Sequence, residues 1–247
     1  MGRWSRHVAD QFLDWLAIPE GLTWLDVGCG AGMLGQSIVS SYAPVAVTGV
    51  DPKAASIDHA RAHVDNTSIP FKVGDAQKLP FDNETFDAVV SGLMIKFVPD
   101  KLKAVKEMKR VTRNDGVIAL YDWDLENNAN MTRHFWQAVT DLDASLMNYR
   151  ATDRPDMRET TRISDIFHQA GLKNIEERSF IFNARFKNFG DYWHPITHNA
   201  QNVGKFYQSL TNEQRQGVRD KIKNILPISN DGSITFESSA FAVKGRC

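Results

Sequence analysis

The chain has 247 residues, of which 42% are hydrophobic and 24% charged, a balance that predicts a globular protein with a substantial core and excludes disordered and fibrous classes. The formal net charge of −1 gives no global attraction to nucleic acid or to an anionic membrane, so neither is predicted as a partner. Because only Cys29 and Cys247 are present and no apolar run approaches the ~20 residues that span a bilayer, we expect a cytoplasmic protein without structural disulfides, a metal site, a targeting segment or a membrane anchor.

The first half of the chain alternates between helical and strand patterns. An amphipathic helix is predicted over residues 3–17, and Pro19-Glu20-Gly21 ends it. Short apolar runs then alternate with helical stretches, which is typical of a parallel sheet with right-handed crossovers. Asn114-Asp115-Gly116 predicts a turn before the fifth strand. The predicted strands lie near 22–27, 45–50, 69–73, 86–91 and 116–121, and the helices near 32–40, 53–64 and 100–112.

The pattern changes after Asp122. Residues 123–158 carry no strand signal and are predicted as an insertion, with a helix over 131–146, that caps the core. Further elements are predicted at 161–170 (helix), 175–182 (strand), 203–225 (helical) and 233–242 (strand). We therefore expect one domain over residues 1–247, in which about 20–122 and 160–247 form the core, and helix 3–17 and insertion 123–158 form the cap.

The segment Leu25–Gly35, LDVGCGAGMLG, is the most informative part of the chain. An apolar strand leads into Asp26 and then into glycines at 28, 30 and 32, which have no Cβ where the backbone must turn sharply, approach a ligand and begin a helix. Asp26 lies where a carboxylate can meet a cationic ammonium group. This turn predicts a site for a nucleotide-like ligand.

Two interpretations of this turn compete. Gly30, Gly32 and Gly35 fit the dinucleotide pattern G-x-G-x-x-G, and Asp51 follows about twenty residues later, as that pattern requires. However, Asp26 and Gly28 precede the pattern, which therefore begins inside the turn instead of directly after the strand. That register favours the other interpretation, in which Asp26-x-Gly28-x-Gly30-x-Gly32 is the motif.

Three later segments continue the pattern in order. Val45–Val50 ends at Asp51, whose carboxylate can accept hydrogen bonds from both hydroxyls of a ribose. The next predicted strand ends in Gly74-Asp75-Ala76-Gln77, followed by Leu79-Pro80-Phe81 and Phe86-Asp87. The strand after that ends at Ser91-Gly92-Leu93 and runs on to Phe97-Val98-Pro99-Asp100.

Together these segments, from Thr23 to about Asp122, resemble class I S-adenosylmethionine (SAM) dependent methyltransferases, in particular the small-molecule type 11 branch that includes enzymes of quinone biosynthesis. The resemblance implies a Rossmann-like, doubly wound α/β fold with seven strands in the order 3-2-1-4-5-7-6, the last one antiparallel. It also implies SAM as cofactor, bound by Asp26, Gly28, Cys29, Gly30, Gly32, Asp51, Pro52, Asp75, Ala76, Gln77, Ser91, Gly92 and Leu93.

The acceptor is predicted to be a small organic molecule, methylated by in-line displacement, with a general base only if it must lose a proton. His194, beside Trp193, is the first candidate base and His134 the second. Lys96 departs from the resemblance, because an uncharged residue is expected there. Two alternatives stay open, a nicotinamide-dependent oxidoreductase and a non-catalytic SAM-binding partner protein, and the sequence leaves the oligomeric state undetermined.

Overall fold

The computed structural model describes residues 2–64, 69–124, 132–147, 162–198 and 203–247. The chain groups into two compact units. The first, called the sheet unit, contains residues 2–123, 161–180 and 240–247, and the second, called the helical unit, contains residues 124–160 and 181–239. Residues 181–239 thus group with the predicted cap segment, whereas the sequence placed them in the core.

One seven-stranded sheet has the order β3-β2-β1-β4-β5-β7-β6, which confirms the predicted fold class. The pairs β1–β2, β1–β4, β2–β3 and β4–β5 are parallel, and β7 is antiparallel to β5. The strands are β1 (Thr23–Val27), β2 (Ala46–Asp51), β3 (Phe71–Val73), β4 (Phe86–Gly92), β5 (Thr112–Trp123), β6 (Lys173–Phe186) and β7 (Ile234–Arg246).

The helices of the sheet unit are α1 (Gly2–Leu16), α2 (Met33–Tyr42), α3 (Ala54–His63), a 3-10 turn (Ile95–Phe97), α4 (Lys101–Val111) and α6 (Ile163–Gln169). Helix α4 shows why they form where they do. Asp100 caps its first turn by accepting from the Lys103 N–H at 2.9 Å, and Ala104, Val105, Met108 and Val111 place one buried face against the sheet.

The predicted turn at Asn114-Asp115-Gly116 is an irregularity within β5. The β4–β5 register passes from Phe86↔Thr112 to Ala88↔Val117, so β5 holds extra residues at this point. Asp115 has a φ of 62°, a conformation that asparagine, aspartate and glycine adopt more readily than other residues. The turn is present, but its predicted position before the strand is wrong, because β5 already begins at Thr112.

The helical unit contains α5 (Arg133–Leu142), a 3-10 turn (Ala144–Leu146), α7 (Phe189–Thr197), α8 (Val203–Ser209) and α9 (Asn212–Ile225). Phe135, Tyr192 and Phe206 are fully buried in it. The predicted helical region 203–225 divides at Leu210, because Thr211 and Gln214 form a capping box that starts a new helix. Within the described ranges, no helix is both long and apolar enough to cross a bilayer.

Asp87 joins the starts of three strands in the sheet unit. Its Oδ2 accepts from the Thr23 N–H at 2.8 Å and from the Thr23 hydroxyl at 2.6 Å, and its Oδ1 accepts from Arg113 at 2.6 Å. Partial burial alone raises the pKa of Asp87, but the hydrogen bonds from Thr23 and Arg113 outweigh it and hold this pKa below its usual value.

We therefore expect Asp87→Ala to lower the free energy of unfolding at neutral pH by about 1–3 kcal/mol, since the part-buried Thr23 N–H loses its acceptor. A carboxyl group whose pKa is lowered in the folded state stabilises the fold above its unfolded-state pKa of about 4, and this stabilisation is lost as pH falls through the folded-state pKa. The difference in free energy of unfolding between wild type and Asp87→Ala should therefore become smaller in acid. Urea titrations at neutral and acidic pH measure both effects. The exposed Asp82→Ala is the control, and an equal loss there would contradict the assignment.

Candidate active site

A backbone turn, Gly28–Gly32, connects β1 to α2 and is fixed to the end of β2. The Gly28 and Cys29 N–H groups both donate to the Val50 carbonyl, at 2.7 and 3.0 Å. Gly28, Gly30 and Gly32 have φ values of 75°, 51° and 81°, a region that residues with a Cβ rarely adopt. The same positive φ conformation therefore explains why glycine is present at all three predicted positions.

The surroundings of these glycines differ. A Cβ on Gly28 would lie 2.3 Å from Cγ of Met94, and one on Gly32 would lie 2.7 Å from Val64 and 2.9 Å from Phe71. A Cβ on Gly30 would meet nothing within 4 Å. The turn is thus packed on the protein at two glycines and open at the middle one, where a ligand can approach the backbone.

Asp51 ends β2 and contacts this turn directly. Its Oδ2 accepts from the Gly30 N–H at 3.1 Å and its Oδ1 from the Lys53 N–H at 2.9 Å. A carboxylate offers about four lone-pair positions, so each oxygen retains one after these bonds. The buried side chain is fixed in place and can still accept from two neighbouring hydroxyls, as a ribose requires. Pro52, which follows it, is exposed.

Asp26, near the end of β1, is 1% exposed, and its Oδ2 has no hydrogen-bond partner among the described residues. Burial raises its pKa to about 7; the Gly35 N–H lowers the pKa in part, and the nearby charge of Asp51 raises it further. A cationic group beside Asp26 would reverse this effect. Its unmet hydrogen-bonding capacity fits the ammonium group for which the sequence proposed it.

Cys29 lies in the turn with its thiol buried, 8% exposed and free. Burial is the main cause that raises its pKa, and the charges of Asp26 and Asp51 raise it further. Burial therefore favours the protonated thiol over the nucleophilic thiolate at neutral pH. It contributes a small buried side chain to the turn.

The segment after β3 holds the next predicted residues. Asp75 is exposed, and its Oδ1 accepts from the Gln77 N–H at 2.9 Å, while the Gln77 amide group contacts both carboxylate oxygens at 3.2 Å. Gln77 also accepts from the Asp100 N–H at 3.2 Å. Gln77 therefore fixes the orientation of Asp75, and Ala76 between them is 6% exposed.

The three predicted residues at the end of β4, Ser91, Gly92 and Leu93, each make a different contact. The Ser91 hydroxyl, 1% exposed, donates to the Val27 carbonyl at 2.8 Å, so it joins β4 to β1. A Cβ on Gly92 would lie 2.6 Å from Oη of Tyr121, which explains the glycine there. Leu93 has a φ of 60° and donates its N–H to the Tyr121 carbonyl at 2.8 Å. These contacts direct the chain away from the sheet immediately after the strand.

From the sequence, Asp122 has no predicted role and Lys96 is identified only as a departure from the resemblance. In the structure Nζ of Lys96 lies 2.5 Å from Oδ1 of Asp122, and the Trp123 N–H donates to the same oxygen at 2.7 Å. The pairing of the strands brings these side chains together, since Lys96 follows β4 and Asp122 lies near the end of the neighbouring β5. Their spacing in the sequence does not indicate this contact.

The two candidate bases belong to the helical unit. His194 is exposed on α7, with its ring stacked on that of His198 at 4.1 Å. His134 has a buried Nδ1 without a hydrogen-bond partner among the described residues, and its ring lies 5.1 Å from that of Phe236. Burial, and secondarily Arg133, lowers the pKa of His134, so it is neutral at pH 7. Both roles remain predictions.

Comparison with known proteins agrees with the predicted resemblance. Residues 25–120 match the methyltransferase domain family. This segment is therefore similar to methyltransferase domains. It contains the glycine turn, Asp51, Asp75 and the end of β4, so the predicted cofactor residues all lie within the match.

Two curated relatives and one solved structure illustrate the similarity. The demethylmenaquinone methyltransferase of Lactiplantibacillus plantarum is 26% identical over 75% of this chain and 84% of its own length. The 2-methyl-6-phytyl-1,4-hydroquinone methyltransferase of Synechocystis is 31% identical over 49% of this chain, but the match spans only 38% of that protein. A putative methyltransferase from Bacillus halodurans, 20% identical, superposes with a TM-score of 0.62 over 96% of this chain and 97% of its own.

The packing around the turn predicts unequal costs for two alanine substitutions. Gly30→Ala should lower the free energy of unfolding by about 1–2 kcal/mol, because only the left-handed backbone opposes it. Gly28→Ala should cost about 1–3 kcal/mol more, because its Cβ collides with Met94. Chemical denaturation measures the free energy of unfolding of both variants. Equal decreases would contradict the packing of Met94 against Gly28.

Asp26 predicts a pH effect of the opposite sign to that of Asp87. Its folded-state pKa is raised to about 7, so the protonated carboxyl stabilises the fold fully below the unfolded pKa of about 4, and this stabilisation is lost as pH rises through about 7. Asp26→Asn cannot ionise and should lose less stability over that interval. Thermal denaturation across pH 4–8 or so measures it. Parallel curves for wild type and variant would show that Asp26 ionises normally.

Proposed function

We propose that the protein transfers the methyl group of SAM to a small aromatic acceptor of the hydroquinone type. The observation that carries the cofactor half of this proposal is the contact between the open Gly30 backbone and Asp51. That contact holds a carboxylate beside a backbone that a ligand can reach, and each carboxylate oxygen accepts one hydrogen bond from the Gly30 or the Lys53 N–H among the described residues. The acceptor class rests on the relatives, one of which is named for a demethylmenaquinone and another for a hydroquinone.

The residues divide the work according to their chemistry. SAM supplies a methyl group on a positively charged sulfur, which is already activated for transfer. Asp51 would bind the ribose hydroxyls, Asp26 would pair with the ammonium group, and Asp75 with Ala76 would meet the adenine. The ends of β4 and β5 would orient the acceptor, since in-line displacement depends mainly on the position of the nucleophile.

A general base is needed only for an acceptor that must lose a proton. We propose His134 ahead of His194, because burial favours the neutral form of His134 and its Nδ1 has no hydrogen-bond partner among the described residues, whereas His194 is exposed and stacked on another histidine. A cytoplasmic location also stays part of the proposal, and the two free cysteines, Cys29 and Cys247, support a reducing compartment.

The cofactor half is tested by calorimetric titration of S-adenosylhomocysteine into wild type, Asp51→Ala and Asp58→Ala. Asp51→Ala should weaken binding by roughly ten- to a hundred-fold, because hydrogen bonds to a charged group contribute about 1.5–3 kcal/mol. Asp58 lies on α3 with a 74% exposed side chain, so its substitution should leave affinity unchanged. A thermal melt of each variant separates lost affinity from lost folding.

The same titration with NADH addresses the oxidoreductase alternative. If wild type bound NADH and not S-adenosylhomocysteine, the proposal would be contradicted. Gly30, Gly32 and Gly35 would then be interpreted as a dinucleotide-binding motif. Binding of S-adenosylhomocysteine with no methyl transfer to any hydroquinone, naphthol or amine acceptor would favour the non-catalytic partner protein.

A further inference from the structure

A cation is held at the point where β4 and β5 end, in a position where the resemblance predicts an uncharged residue. Lys96 lies in the 3-10 turn Ile95–Phe97, which follows β4. Ile95, 2% exposed, anchors this turn in the core, and Met94 before it packs on the Gly28 turn. The lysine is therefore attached to a rigid element beside the proposed cofactor site.

Asp122 fixes the lysine from inside the protein. The carboxylate is 5% exposed, and its Oδ1 accepts from both Lys96 and the Trp123 N–H. Asp122 is the charged group in contact with Lys96 within the described ranges, and the lysine side chain is 28% exposed. The anion is thus the inner member of the pair and the cation the outer one.

Stability alone does not account for this pair. Replacing a buried ion pair by apolar side chains of similar volume is often neutral or stabilising, because desolvation offsets the attraction between the charges. Here the desolvation is incompletely compensated, since Oδ2 of Asp122 is buried without a hydrogen-bond partner among the described residues. A ligand that uses the cation would explain why the pair is present.

Phe97 indicates what kind of ligand would fit. Its side chain is 58% exposed, and Nζ of Lys96 lies 5.3 Å from the centre of its ring. An exposed aromatic ring beside a fixed ammonium group suits a molecule that has both an aromatic ring and an anionic oxygen. A ring of this kind gains contact with Phe97, and its oxygen accepts from an ammonium hydrogen that Asp122 does not use.

We propose that Lys96 binds the acceptor of the methyl transfer as an aromatic oxyanion, a phenolate, and that Asp122 is the positioning residue that holds the lysine. This inference rests on the proposed function. In the bound acceptor the hydroxyl proton leaves to a base or to water, and its bonding electron pair stays on the oxygen. An opposite charge within about 4–6 Å favours that ionised form by 1–3 pKa units. Lys96 then selects hydroxylated aromatic acceptors over amines.

The test uses 4-nitrophenol as a coloured probe, with S-adenosylhomocysteine saturating the protein. Spectrophotometric titration gives the pKa of the bound phenol, and its dissociation constant above and below that pKa. In wild type the phenolate should bind at least about tenfold more tightly than the neutral phenol, equivalent to a pKa lowered by about one unit. Lys96→Met should abolish this preference, and Lys96→Arg should retain most of it.

Two further variants keep the result interpretable. Lys106→Met removes an exposed lysine from α4 and should leave the phenolate preference intact. Lys96→Met combined with Asp122→Asn removes both charges, so it avoids an isolated buried carboxylate if the single variant fails to fold. This double variant should also lose the preference, while Asp122→Asn alone should weaken it.

The outcomes separate this inference from the proposed function. If the variants bind S-adenosylhomocysteine as wild type does but keep the phenolate preference, the role of Lys96 is wrong and the proposed function is unaffected. If wild type favours the neutral phenol, or 4-nitroaniline binds as well as the phenolate, the acceptor class is wrong. If wild type binds no S-adenosylhomocysteine, the proposed function itself fails.

Discussion

The hydrogen bonds that fix the Gly28–Gly32 turn to the end of β2 are the constraint on which the rest of the site depends. Two N–H groups of the turn share the Val50 carbonyl, and a third donates to Asp51. This geometry requires positive φ values at the alternate residues Gly28, Gly30 and Gly32, a conformation that glycine adopts without strain. Met94 packs against the turn and Ser91 binds the Val27 carbonyl just before it, so the ends of β1, β2 and β4 are located by one piece of backbone.

Much of the sheet unit was predictable because its signals are local. The buried strands β1 and β4 are short apolar runs, α4 begins at the capping residue Asp100, and the glycine turn has a fixed spacing. The helical unit carried weaker signals. Helix α7, Phe189–Thr197, was not predicted, because Pro195 lies inside it and the surrounding aromatic residues have no clear helical period.

The predicted cofactor residues show a similar division. Gly28, Gly30, Gly32 and Asp51 were recognisable because the backbone and strand ends demand those residue types. The pairing of Ser91 with the Val27 carbonyl, 64 residues away, depends on side-chain geometry that spacing does not encode. The same holds for Lys96 and Asp122, which are 26 residues apart and meet only because β4 and β5 are neighbours in the sheet.

Two buried carboxylate oxygens, Oδ2 of Asp26 and Oδ2 of Asp122, have no hydrogen-bond partner in the described part of the chain. They lie near the carboxyl ends of β1 and β5, the strands on either side of β4. An unsatisfied buried polar group costs about 1–3 kcal/mol, and more if it is charged, so folding alone gives no reason to keep either aspartate. Both unsatisfied oxygens lie at the edge of the sheet where an α/β protein of this topology binds its ligands. Both aspartates thus lower stability at this edge of the sheet, where Asp26 would pair with the cofactor and Asp122 would hold the lysine that binds the acceptor.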